Sequence, residues 1–271
     1  MTSLTSFIGR IRAFVVRDFQ LATSYRVEFG MRVLSILFVV TTFFFVSQIF
    51  ASDSARFPQW RAPLPAWLIG LAVLNYFSVG FSSLANAIRS EQTQGTLESV
   101  LMTPINVPSF IVTSSIWDFI NATFTSFLYL FFGWLFFDVT YRGNFLTAIL
   151  LLLLTTFVLA SLGILSASFA MVFKRGDPFG IFIGIGSAFF SGVIFPTELL
   201  GSGFQKVSNI LPTTYGVDGI RRVLIDGQTL FEVREPLLTL CAFLLILLPF
   251  SLWVFSRAVR RAKREGSLIQ Y

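Results

Sequence analysis

The chain has 271 residues, of which 55% are hydrophobic and 13% charged; it carries 34 phenylalanines, a mean hydropathy of +0.77 and a formal charge of +6. Soluble domains carry about 25% charged residues, so a chain this poor in charge is expected in lipid. It has no histidine and one cysteine, Cys241, inside an apolar run, which excludes histidine acid–base chemistry, a His/Cys metal cluster and an intrachain disulfide framework.

Residues 4–30 place Phe7, Ile11, Phe14, Val15, Ala22 and Tyr25 at helical spacing, with Arg10, Arg17, Gln20 and Ser24 on the other face. A basic amphipathic helix of this kind lies in the headgroup region, apolar side down. Asp18 falls on the apolar side and interrupts the pattern. No short apolar region with a small-residue cleavage site follows, so the segment is expected to be retained.

Residues 33–52, 62–88, 143–173, 178–197 and 236–256 contain no Asp, Glu, Lys or Arg, and residues 99–137 contain only Asp118. A bilayer core of about 30 Å needs about 20 apolar residues as helix. Six crossings are expected: 33–51, 66–88, 110–137, 145–173, 179–196 and 237–256. The fold class is therefore an all-α membrane protein forming one transmembrane domain over 1–271. Its parts are an interfacial helix (1–32), five spans (33–196), an outer segment (197–235), a sixth span (237–256) and a basic tail (257–271).

Arg10, Arg12, Arg17, Arg26 and Arg32 precede the first span, and Arg257, Arg260, Arg261, Lys263 and Arg264 follow the last. With an even number of spans both termini share a side, which the positive-inside rule makes the cytoplasm. The basic balance reports topology, and nucleic acid is not an expected partner.

Between the second and third spans stands "SEQTQGTLESVLMTP", Ser90 to Pro104. Ser90 suits a helix N-cap and Glu91 its first turn. Leu97, Val100 and Leu101 form a small apolar face, and Pro104 ends it. Glu91 and Glu98, seven apart, share a face. From pattern alone this is either a connecting helix with solvated acids or a knob that docks into a groove on a soluble partner.

"EQTQGTLESVLMTP" resembles the E-x-x-x-G-T-L-E-x-(L/V)-L-x-T-P signature of the integral membrane subunits of type 2 ATP-binding-cassette exporters. Glu91, Gly95, Thr96, Leu97, Glu98, Leu101, Thr103 and Pro104 match. "NILPTTYGVDGIRRVLIDG", residues 209–227, is similar to that family's segment between its fifth and sixth spans. The resemblance implies a non-enzymatic permease subunit whose pathway forms with a second permease subunit, identical or related. It also implies two copies of a separate ATPase that bind ATP and Mg, leaving this chain without a cofactor. Residues 90–104 would then be the helix that the ATPase grips. The chain has no G-x-x-x-x-G-K-[ST] loop; "GSGFQK" at 201–206 lacks the glycine before the lysine.

The segment 197–235 is too long for a structureless connection and rich enough in apolar runs to form short helices in the outer leaflet. The resemblance implies a re-entrant hairpin near an exit gate, with Pro196, Glu198, Pro212, Tyr215 and Gly216 as its residues and Pro196, Pro212 and Gly216 at bends. Within the spans, Asp118, Asn121 and Thr125 lie along the third and Asn75 along the second. An acid at the bilayer centre costs about 2.5–3.5 kcal/mol on insertion scales. Asp118 therefore either sits near the inner interface or marks the cytoplasmic mouth of a pathway for a cationic group, and Asn75 either bridges helices or touches cargo. Gly180, Gly184, Ser187 and Ser191 form a small-residue ridge on the fifth span.

Phe and Leu dominate the spans, which suits a hydrophobic drug-like or lipid-type cargo more than a polysaccharide or lipid-linked glycan. A reading from another class is an ATP-independent channel or scramblase, which needs no docking helix. An enzyme acting on lipid lacks an evident nucleophile–base pair.

Overall fold

The computed structural model describes residues 26–52, 63–93, 107–173, 184–187, 189–193 and 202–264, together with Val16 and Gln20. Among them the elements are all helical: α1 (Arg26–Ser52), α2 (Pro63–Thr93), α3 (Val107–Phe137), α4 (Phe145–Phe173), α5 (Ser202–Ser208), α6 (Pro212–Leu224) and α7 (Arg234–Arg264). Five of these, α1, α2, α3, α4 and α7, are long and apolar enough to cross a membrane. The crossing expected at 179–196 lies largely outside the described residues. Within it, 184–187 and 189–190 are helical, and the chain turns over 191–193 with Gly192 at φ 76°.

Local chemistry sets the helix ends. Pro63 opens α2, where its fixed φ suits a first turn and its missing N–H leaves nothing unpaired. Asn144 caps α4: its side-chain oxygen accepts the Leu146 N–H at 2.9 Å and its carbonyl accepts the Ala148 N–H at 3.2 Å. α3 stops at Asp138, which takes φ 50°, a left-handed conformation that Asp tolerates better than most residues. Ahead of α7, Glu232 Oε2 accepts both the Thr229 N–H at 2.6 Å and the Thr229 hydroxyl at 2.9 Å. Those bonds stabilise the charged carboxylate and hold Glu232 below its ordinary range.

Two expected boundaries shift. α1 as described begins at Arg26, seven residues ahead of the expected first span at 33. α2 runs unbroken through Ser90 and Glu91 to Thr93, so Ser90 does not cap a new helix. The reason is the same in both places. Arg, Glu, Gln and Ser are polar without being strong breakers, so a helix can continue past the edge of the apolar layer.

α2 and α4 are the centre of the bundle. α2 packs along α3 on one side and α4 on the other, α4 packs most extensively on α7, and α1 leans on α3 and α2. One apolar core, including Val73, Phe77, Leu151, Leu159, Ile220 and Leu240, joins α2, α4, α6 and α7. A second, including Ile36, Val40, Leu68, Leu128 and Phe132, joins α1, α2 and α3. Where α2 crosses α4 the backbones meet: a Cβ on Gly163 would lie 2.5 Å from the Gly80 carbonyl oxygen and 2.7 Å from that of Phe81. Small residues permit such approach between membrane helices, where packing rather than the hydrophobic effect holds them together. Of the fifth-span ridge, Ser187 and Ser191 are buried, whereas a Cβ on Gly184 would meet open space. Gly180 lies outside the described residues.

Candidate functional site

Many polar groups inside the described spans are bonded within the protein, although the buried hydroxyls of Thr156, Ser187 and Ser191 have no hydrogen-bond partner. Thr41, Ser82, Thr123, Thr155, Ser161 and Ser168 each donate their hydroxyl to the carbonyl four residues earlier, at 2.7–2.8 Å, which satisfies them without water. Asn75 on α2 donates to the Ala122 carbonyl at 3.0 Å and to Ser126 Oγ at 3.4 Å on α3, and Ser126 returns a bond to the Ala72 carbonyl at 2.9 Å. Asn75 therefore bridges two helices.

Asp118 and Asn121 lie one turn apart on α3, and Arg32 of α1 donates to Asn121 Oδ1 at 3.0 Å. The Phe29 and Phe124 rings meet at 5.5 Å and those of Phe44 and Phe137 at 4.4 Å, so α1 and α3 run parallel. That register sets Asn121 beside the charged start of α1. From Asp118 to the end of α3 at Phe137 is about 28 Å of helix, close to the full apolar thickness. Thr125, one turn beyond Asn121, is half-buried.

The other polar centre is built on α6. Pro212 occupies its first turn, directly after the turn over 209–211, as expected for a bend. Gly216 does not sit at a bend. It lies inside α6 with its missing Cβ pressed against the Thr155 side chain of α4, so a close approach rather than a turn requires glycine there. Gly219 faces Leu151 in the same way, at 3.2 Å, and the Leu224 carbonyl accepts the Arg142 N–H at 3.0 Å. Hence α6 runs antiparallel to α4. Its last turn lies at the 138–144 loop, and its first turn lies beyond Thr155, near the middle of α4.

α5 and α6 are tied to one another and to the end of the 184–193 stretch. Thr214 Oγ1 donates to the Ser208 carbonyl at 2.7 Å, Tyr215 OH to the Asn209 carbonyl at 2.9 Å, and Ser208 Oγ to the Phe190 carbonyl at 2.6 Å. Arg221 is the keystone, and its importance is not evident from sequence. Its guanidinium donates to the carbonyls of Gly192 at 2.6 Å, Val193 at 2.8 Å and Ala66 at 2.9 Å. One side chain thus joins α6, the turn at 191–193 and the first turn of α2. Gly70 makes room for it: a Cβ there would stand 2.9 Å from the Val193 carbonyl oxygen and 3.1 Å from Arg221 Nη2. The available signal was an arginine within an apolar helical run, which needs carbonyl or carboxylate partners in such surroundings. Arg222, next to it, instead pairs with Asp218 at 2.8 Å on the more open side of α6.

Of the residues expected to engage an ATPase, Ser90 and Glu91 lie in the last turn of α2. Gly95, Thr96, Leu97, Glu98, Leu101, Thr103 and Pro104 lie outside the described residues, as do Pro196 and Glu198 of the expected outer gate.

A bundle with five helices long and apolar enough to cross a membrane, many of their polar side chains bonded within the protein, is that of a multi-pass membrane protein. The sequence profile of the ABC-2 type transporter matches residues 10–225, most of the chain. The chain belongs to the ABC-2 type transporter family, the membrane permeases of ATP-binding-cassette exporters. Such permeases transport rather than catalyse, and membership implies partnership with an ABC ATPase subunit. No curated protein matches the chain.

Proposed function

We propose that this chain is one half of an exporter's membrane pathway, paired with a second permease subunit and worked by two copies of a separate ATPase that bind ATP and Mg. The ATPase docks on residues 90–104, chiefly through Glu91, Gly95, Thr96, Leu97, Glu98, Leu101, Thr103 and Pro104. The observation that carries this reading is the position of that signature. It begins in the last turn of α2 and fills the connection to α3, inside the family match and at the opposite end of the bundle from the 138–144 loop. Both termini and this connection then face the cytoplasm, in the cell's inner or plasma membrane, with the segment at 179–196 as the sixth crossing.

In this arrangement α5 and α6 form a re-entrant hairpin from the outer face, and Pro196, Glu198, Pro212, Tyr215 and Gly216 belong to the outer gate. The antiparallel run of α6 along α4 supports the hairpin. Asp118, Asn121 and Thr125 border the inner mouth of the pathway, with Asn75 fixing its second and third spans. ATP-driven closure of the ATPases moves the docking helix as a rigid body and shifts the pathway from inward- to outward-open. This requires the ATPase to hold the helix differently in the two states. The cargo is a hydrophobic drug-like or lipid-type molecule, in keeping with spans dominated by Phe and Leu.

The test is capture of the ATPase. Cysteines replacing Gln94 and Glu98 should cross-link a nucleotide-binding protein in intact membranes, and transport-coupled hydrolysis should fall sharply in Glu91→Arg/Glu98→Arg. Full transport by the permease purified alone would refute the docking proposal and favour a channel or scramblase.

A further inference from the structure

A cleft of about 610 Å³ opens between α3 and α4, within the size range of small-molecule sites. These helices are consecutive in sequence yet hardly touch. Ala72 and Val73 of α2 form the floor and Ile220 of α6 closes the back. One wall is a row of rings on α3, with Phe127 to Phe131 at 5.5 Å and Phe131 to Trp134 at 6.0 Å. Ala148 and Ile149 of α4 face them.

Of the hydroxyl side chains lining the cleft, all but Thr140 at its shallow end donate to other groups of the protein. Tyr76 donates to Thr123 Oγ1 at 2.6 Å, Thr123 to the Phe119 carbonyl at 2.8 Å, and Ser126 to the Ala72 carbonyl at 2.9 Å. Tyr141 donates to the Leu130 carbonyl at 3.4 Å. The interior is therefore left with a hydrocarbon surface, which suits an unfunctionalised chain better than a glycan or a charged drug. The rim is lipid-facing, since Phe127 is 58% exposed, Trp134 57% and Ile149 51%, all on helices that cross the membrane. Depth agrees as well. The α3 wall from Thr123 to Trp134 is about 16 Å long, close to half of an apolar layer of about 30 Å. Its shallow end is marked by Trp134 and Tyr141, side chains of the type that anchors at the headgroup level.

The geometry points to a seat for one acyl chain of a bilayer phospholipid, between α3 and α4, with its carboxyl end beside Trp134 and Tyr141 and its methyl end beside Tyr76 and Thr123. Transfer from bulk lipid gains no hydrophobic free energy, because one apolar medium replaces another. The chain is held by shape, through dispersion contacts with walls that would otherwise face a void. The seat is independent of how the ATPase docks, so its failure would leave the proposed function standing.

The experiment uses the full-length protein in nanodiscs of phosphatidylcholine doped with phosphatidylcholine carrying a diazirine at defined positions along one acyl chain. After illumination, adducts are mapped by peptide mass spectrometry. Enrichment is expected on the cleft residues of α2, α3 and α4 over outward-facing Leu245 and Ile246 of α7. The adduct should move from the Trp134 end towards Tyr76 as the diazirine moves from the carboxyl to the methyl end. Ala148→Trp, or Ala72→Phe should the first variant fail to fold, should abolish the enrichment. Uniform labelling of all lipid-facing helices, or an adduct position indifferent to the diazirine's place, would overturn the proposal. So would disulfide dimers of Ile149→Cys in a Cys241→Ser background, which would place a second copy of the chain in the cleft.

Discussion

Arg221 shows how much one side chain can hold. Its guanidinium serves carbonyls from residues 66, 192 and 193, and the planar fork of arginine reaches several acceptors at once as an ammonium cannot. Arg221→Ala leaves those carbonyls without that donor in a partly buried place and should cost about 2 kcal/mol. Arg221→Lys should recover only part of the loss. Thermal unfolding in detergent checks both, and equal melting temperatures for wild type and Arg221→Ala would remove the keystone role. Little of this was legible in the sequence, because residues 66 and 221 are brought together only by the fold. For Asp118, the cost of an acid at mid-bilayer pointed to the inner interface or to the mouth of a pathway, and the parallel register of α1 and α3 puts its neighbour Asn121 beside Arg32 at the start of α1.

At the scale of elements, the absence of charge was a dependable guide to where helices run and a poor guide to where they stop. The window without charges at 62–88 became a helix of 31 residues, Pro63–Thr93, because polar residues that leave the apolar layer remain good helix formers. Ser90 read as a cap because serine suits a helix N-cap, yet its neighbours on both sides are helical. Glycines were harder still to read. Gly216 looked like a bend, but it and Gly163 are points of close approach, distinguishable from turn glycines only once the facing helix is known. The contact at Gly163 can be tested. Gly163→Val would drive a side chain into the carbonyls of Gly80 and Phe81 and should destabilise by about 1–3 kcal/mol, whereas Gly184→Val, which meets open space, should be tolerated. The comparison is read from melting temperature and monodispersity in detergent.

For the whole molecule, the presence of several long membrane-crossing helices was the property most fully written in the chain, because bilayer thickness constrains their length and apolarity directly. The proposed orientation makes a direct prediction. In a Cys241→Ser background, which removes the chain's one cysteine, Arg142→Cys should react with a membrane-impermeant thiol reagent added outside intact cells. Ser90→Cys should react only after the membrane is opened. The reverse pattern would invert the protein and move the docking signature to the wrong face. Cargo was the least legible property, since the same phenylalanines that suit a hydrophobic passenger also suit the lipid around the protein.

The meeting of backbone on backbone at Gly80 and Gly163 bears on how force could travel through the bundle. Helices separated by long side chains can slip past each other as rotamers change, but here no side chain stands between the two main chains to absorb a shift. A push delivered to the Thr93 end of α2 would bear directly on α4 at this junction, and α6 is seated on α4 in turn through Gly216 against Thr155.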